Sequence, residues 1–176
     1  MIIDEPTVIS AEWHVYKRFA DGTTETVARK HNLLTNLCKQ SLLYSLLAPL
    51  SGDVIAGFPY IGFGSGSTAA IETDTALTTE LTGNANRIAV TDSTGASFST
   101  GDVVLDSSVS PYTVSTVVQV ILPAIDGNNG STVYEMGLFT AATFATGTMA
   151  NHIVLGSPGI PKTSLFALVC DITFRI

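Results

Sequence analysis

The chain has 176 residues, of which 45% are apolar and only 13% are charged, and its formal net charge is −7. This length suits one domain with a substantial core. The eight Lys and Arg residues are scattered, so we expect no sequence-independent nucleic-acid partner. The longest apolar stretch is too short to span a bilayer and the acidic start "MIIDEP" lacks a signal-peptide pattern, so we expect no membrane partner.

The first segment predicts a β-hairpin. In "TVISAEWHVYKRF" apolar and polar residues alternate with a period of two, as in a strand with one buried face. Asp21 and Gly22 form a strong hairpin-turn signal, and "TETVARK" is the predicted return strand. Long hairpins near an N-terminus often serve as arms. We therefore expect residues 1–31 to form an N-terminal hairpin arm and residues 32–176 to form the core domain.

The next segment, "HNLLTNLCKQSLLYSLLAPL", predicts the one helix of the chain. Its leucines are too dense for a single strand. Asn32 or Thr35 can cap the start, and Pro49 ends the helix. The helix should run over about 35–48 and should be buried on most sides, because it is apolar nearly all round.

The rest of the chain reads as strands separated by turn signals every 8–12 residues. This spacing is typical of a β-sandwich or an open barrel. The predicted fold class is therefore mainly β, an antiparallel β-sandwich or open barrel with one buried helix and an N-terminal hairpin. The longer strands are expected at 86–91, 112–122, 132–139, 149–155 and 165–176, and a short one at 102–105.

Motifs that would carry chemistry are weak. The bend "GFGSGS" at 62–67 lacks phosphate-loop spacing and predicts a strand-exit turn in which glycine supplies unusual backbone angles. "GSPG" is not a nucleophile elbow, and His14, His31 and His152 stand in no recognisable triad context. We predict no catalytic, cofactor or metal residues and no enzymatic activity. A hydrolase with a spatially assembled site remains an alternative.

Two cysteines lie far apart in the sequence. Cys38 falls in the helix and Cys170 in the last strand, and we interpret both as buried free thiols, with a disulfide left open.

Contact with partners should instead involve large apolar and aromatic side chains of the hairpin and the helix. Trp13, alone in its strand, fits either an interface or a core anchor. The interaction candidates are Trp13, Tyr16, Phe19, Leu37 and Tyr44.

The order of several short motifs resembles a family of tailed-bacteriophage virion proteins. "NLLTN" is followed by "YIGFGSGSTAAIETDTALTTEL", then "YEMGLFTA", then "HIVLGSPGIPKTS". The N-terminal attachment domain of phage tail fibres shows a similar succession, and the resemblance covers roughly residues 32–176. A buried Glu135 would need a partner, Gly137 would admit a close backbone approach, and Lys162 should be exposed.

The resemblance implies a non-enzymatic structural protein of the virion, made in the host cytoplasm. Its expected partners are further copies of itself, with a trimer as one form, and either the major capsid protein or tail and baseplate proteins. Capsid decoration (a cement protein) is favoured because no shaft-like repeats follow the last strand. A tail or baseplate adaptor, or a tail-fibre attachment protein, is the alternative. A glycan- or receptor-binding module is less favoured, since the chain has one Trp and five Tyr.

Overall fold

Strands dominate the fold. The computed structural model describes residues 10–31, 33–36, 38–40, 57–82, 87–97, 99–108, 113–126 and 131–175. The strands in these ranges are β1 (Ser10–Phe19), β2 (Thr24–His31), β3 (Leu33–Leu34), β4 (Tyr60–Gly64), β5 (Ile88–Ala89), β6 (Val103–Asp106), β7 (Thr113–Leu122), β8 (Thr132–Val133), β9 (Glu135–Phe139), β10 (Met149–Val154), β11 (Ile160–Pro161) and β12 (Phe166–Arg175).

The strands form two five-stranded sheets. Sheet I has the order β2-β1-β12-β7-β6, and sheet II has the order β3-β10-β9-β4-β5. A small third sheet joins β11 to β8. All the strand pairs in the described residues are antiparallel. The longest ladder pairs β1 with β12 over ten positions, from Ser10–Arg175 to Phe19–Phe166.

One hydrophobic core lies between the two sheets. Sheet I contributes alternate residues of its strands, such as Trp13 on β1 and Ile172 on β12, and sheet II contributes Ile61 and Met136. The alternation in β1 follows the period-two pattern of the sequence, because successive side chains of a strand point to opposite faces. The mainly-β, antiparallel, sandwich-like class is confirmed.

The N-terminal hairpin is confirmed, but the division between an arm and a core domain is wrong. β1 is an internal strand of sheet I, hydrogen-bonded to β2 on one side and to β12 on the other. Ala11, Trp13 and Val15 are at most 1% exposed. Removing the hairpin would therefore open the core, because it would take away a central strand together with its largest buried side chain.

The start of the predicted helix is confirmed. Residues 36 and 38–40 are helical, and the backbone N–H of Lys39 donates to the Thr35 carbonyl over 3.1 Å. The Thr35 hydroxyl accepts from the Cys38 N–H over 3.2 Å, as an N-cap residue does. Thr35, rather than Asn32, is thus the cap. The predicted continuation over 41–48 lies outside the described residues.

Candidate functional site

A buried carboxylate lies at the centre of the most polar cluster in the described chain. Glu135 is fully buried on β9, whose five residues are all buried. Its Oε1 accepts from the N–H groups of Gly66 (3.0 Å) and Thr79 (2.9 Å), and its Oε2 accepts from the N–H of Thr78 (3.1 Å). The expectation that a buried Glu135 needs partners is confirmed.

The glycine-rich bend holds this internal carboxylate. A Cβ atom at Gly66 would lie 2.5 Å from Glu135 Oε1 and 2.5 Å from Thr78 Cβ. Positive φ angles in the described chain occur at other glycines and not in this bend. The predicted reason for its glycines, unusual backbone angles, is therefore wrong. They are needed because the backbone approaches the carboxylate closely.

His152 bridges two carboxylates. Its Nε2 lies 2.9 Å from Glu135 Oε2 and its Nδ1 lies 2.7 Å from Asp74 Oδ2. An ionised carboxylate only accepts hydrogen bonds, so the protonated ring, which carries a proton on each nitrogen, can donate to both partners. Burial alone would lower the pKa of His152, but the hydrogen bonds and charges of Glu135 and Asp74 outweigh burial and raise it.

Glu135 shifts in the opposite direction. Burial alone would raise its pKa, but the hydrogen bonds from His152, Thr79, Thr78 and Gly66 outweigh burial and lower it. The cluster therefore consists of charged partners that stabilise one another. It ties the loop after β4 to β9 and β10. The imidazole is 2% exposed and both its nitrogens are engaged, so neither is free to exchange a proton with a substrate in this conformation.

A second buried ion pair lies on the neighbouring loop. The Arg87 guanidinium donates to both oxygens of Glu80, over 2.6 and 3.0 Å, and to the carbonyls of Ala141 and Thr146. It also stacks 3.5 Å from the ring centroid of Phe139. Sequence reasoning missed Arg87. The only sequence signal for this ion pair is that Arg87 lies next to an apolar strand and seven residues after Glu80.

Lys162 is buried, which corrects the expectation that it is exposed. Its side chain donates to the carbonyls of Ala124 (3.0 Å) and Thr163 (2.9 Å) and lies 5.3 Å from the centroid of the Phe166 ring. Only 3% of the residue is exposed. Burial lowers the pKa of Lys162, partly offset by Asp126.

The interaction candidates do not form one surface. Trp13 is fully buried in the core, so it is a core anchor and its prediction as an interaction residue is wrong. Tyr16 is half-buried on the opposite face of β1, 4.9 Å from the His14 ring. Phe19 is half-buried, packed edge-on against Phe166 at 6.1 Å. Leu37 and Tyr44 lie outside the described residues.

Both cysteines are free and buried, as predicted. Burial raises the pKa of Cys38 to about 11 and raises the pKa of Cys170 well above its ordinary value.

An apolar cavity of about 580 Å³ opens between the sheets. Phe174 lines it from sheet I and Leu138 from sheet II, and both side-chain polar atoms of Asn151 are buried there with no hydrogen-bond partner among the described residues. Cys38 and Gly57, the nearest described lining residues on either side of positions 41–56, also line it.

Strand β6 is the most exposed apolar strand of the described chain. Val103, Val104 and Leu105 are 45%, 58% and 59% exposed, and β6 is an edge strand whose hydrogen-bonded neighbour is β7. Val103 and Leu105 pair with Thr116 and Val114. The sequence predicted a short strand here but not its exposure. The available signal was an apolar run that does not alternate.

No protein-family model matches the chain, and neither curated proteins nor solved structures yield a match. Among the described residues, no group of three or more His, Cys, Asp or Glu side chains is placed to hold a metal ion. No helix in the same ranges is long and apolar enough to cross a membrane.

Proposed function

We propose that the chain is a non-enzymatic structural component of a tailed-bacteriophage virion. In this proposal it is an oligomeric accessory protein that decorates the capsid surface. The assignment to a virion rests on the motif order along residues 32–176, since no relative was found. The assignment to a structural role rests on how the side chains are used.

The main support for a structural role is the difference between the buried charged side chains and the exposed apolar side chains. The buried charged groups Glu135, His152, Glu80 and Arg87 bond one another and backbone atoms, so they serve packing. The edge strand β6, which has one hydrogen-bonded neighbour strand in the described chain, presents exposed apolar side chains instead. Such an edge is suited to pairing with another chain.

The test is to locate the chain in intact particles. Virions of the phage that encodes it would be labelled with a gold-conjugated antibody against the purified protein, and dissociated heads and tails would be analysed separately by mass spectrometry. The major capsid protein serves as the control for the purity of each fraction. Capsid decoration predicts label over the head surface and co-purification with empty heads.

A tail or baseplate adaptor is the second candidate, favoured by the similarity of the motif order to tail-fibre attachment domains. Label at the tail, with the chain in the tail fraction only, would select this candidate. Absence of the chain from both fractions would reject the virion proposal.

A further inference from the structure

The two edges of sheet I differ in charge. The β1–β2 hairpin carries four of the eight Lys and Arg residues of the chain, and Arg29 and Lys30 lie on the exposed edge strand β2. The opposite edge strand, β6, ends in Asp106 and directly follows Asp102. No Lys or Arg occurs in the sequence between Arg87 and Lys162, so the β6 side has no basic residue of its own near in sequence.

We propose that β6 of one copy pairs with β2 of a second copy, so that sheet I continues from one molecule into the next. Both strands are edges with one hydrogen-bonded neighbour each in the described chain, and main-chain hydrogen bonds would join them. The apolar side chains of β6, more than two-fifths exposed in the single chain, would be partly covered. One acidic end of β6 would face the basic end of β2.

Charge excludes the simplest competing arrangement. Two copies of β6 paired antiparallel would bring Asp106 of each copy near Asp102 of the other, and like charges across an edge disfavour pairing. A pair of β2 strands could join Lys30 to Glu25, but it would leave the exposed apolar side chains of β6 uncovered. The contact between unlike edges covers these side chains and also places opposite charges together.

A contact between unlike edges is head-to-tail, which has consequences for assembly. An open assembly keeps one free β2 edge at one end and one free β6 edge at the other until the contacts close into a ring. The inference deepens the proposed oligomeric role, but its test needs only the purified protein. If the purified protein does not self-associate in this way, the labelling experiment still decides whether it attaches to the particle.

The experiment compares two edge-blocked variants, alone and mixed. Leu105→Lys places a charge on the β6 edge, and a double variant, Arg29→Glu with Lys30→Glu, reverses the charge of the β2 edge. Leu165→Lys is the matched control, because Leu165 is 73% exposed and precedes the central strand β12. Sedimentation velocity and native mass spectrometry at low and high salt report the assembly state, and unchanged circular dichroism reports that each variant is folded.

We expect the wild type and the Leu165→Lys control to self-associate, less at high salt because screening weakens the charge contacts. Each edge-blocked variant alone should bind itself about tenfold more weakly or worse. Mixed together, the two variants should form a 1:1 dimer, because the β2 edge of one and the β6 edge of the other remain intact.

Three results would overturn the inference. The wild type could remain monomeric at low salt at about 100 μM, well above the dissociation constant of a specific contact. The β2 variant could still dimerise by itself, which would indicate a β6–β6 contact. The mixture could also contain only monomers, which would exclude the contact between unlike edges.

Discussion

Changing Glu135 to Gln should destabilise the protein strongly, because each oxygen of this carboxylate accepts two hydrogen bonds. Oε1 accepts from Gly66 and Thr79, and Oε2 accepts from Thr78 and His152. A glutamine has one oxygen and one NH₂ group. With the NH₂ group at the Oε1 position, the N–H groups of Gly66 and Thr79 face a donor; at the Oε2 position, the Thr78 N–H does, while a neutral His152 could accept.

The magnitude follows from these lost contacts. An unsatisfied buried donor costs about 1–3 kcal/mol, and at least one is left whichever way the amide is turned. Removing one member of a buried charged pair costs about 3–5 kcal/mol. We therefore expect Glu135→Gln to lower the free energy of unfolding by about 3–5 kcal/mol, a large part of the roughly 5–15 kcal/mol of a typical domain.

Urea unfolding at one fixed protein concentration is the assay, since self-association would make stability depend on concentration. Trp13 is the only tryptophan and is fully buried, so its fluorescence reports loss of the core. Glu72→Gln is the matched control: this carboxylate is 49% exposed and pairs with Lys39 at 2.9 Å, and exposed pairs contribute at most about 1 kcal/mol. A Glu135→Gln variant within about 1 kcal/mol of the wild type would refute the reasoning.

Three further predictions concern other buried groups. Since the folded-state pKa of His152 is raised, the stabilisation of the fold by protonated His152 should be complete below the ordinary pKa of about 6.5 and lost as pH rises through the folded-state pKa. The difference in unfolding free energy between wild type and His152→Gln, measured by urea unfolding from about pH 5.5 to about pH 9, should therefore shrink with pH. A difference that grows with pH would contradict this. Gly66→Ala should cost about 1–3 kcal/mol or more by the same assay, because its Cβ would meet the Glu135 carboxylate. Gly101→Ala is the control, since a Cβ there makes only an ordinary contact of 3.6 Å with the Ser99 hydroxyl, and an equal loss in both variants would contradict the prediction. Cys38 and Cys170 should react with an aromatic disulfide reagent at about pH 8 far more slowly in the folded protein than in urea, because burial raises both thiol pKa values; equal rates would show that the thiols are accessible.

Local patterns predicted the strands well. The alternation before Phe19 marked the buried face of β1, and the Asp21–Gly22 signal placed the hairpin turn, where Gly22 has a φ of 84°. The predicted strand at 112–122 matches β7 at Thr113–Leu122. These features depend on neighbouring residues, so the sequence contains the information needed to recognise them.

The pairing of distant strands was harder to predict from the sequence. Nothing local to β1 indicates that its free edge pairs with the last strand, about 150 positions away, and the hairpin was therefore mistaken for an arm. Loop lengths limit which neighbours are possible, but several antiparallel orders satisfy them equally. The hydrogen-bond partners of Lys162 were missed for the same reason, since one of them, Ala124, is distant in the sequence. Neither the turn that contains Lys162 nor its charge predicts this contact.

The glycine-rich bend shows how a correct exclusion can miss the physical role of a motif. Its spacing ruled out a phosphate loop, yet one N–H group of the bend, that of Gly66, does donate to an anion, the Glu135 carboxylate. An external phosphate and an internal carboxylate require the same backbone geometry: close approach without a Cβ, and N–H groups that point at an oxygen. The distinguishing signal is the single acidic residue inside the apolar strand "YEMGLF". A buried carboxylate must find donors; here Thr78 and Thr79 supply the other two backbone N–H groups, and the glycines of the bend leave room for the carboxylate.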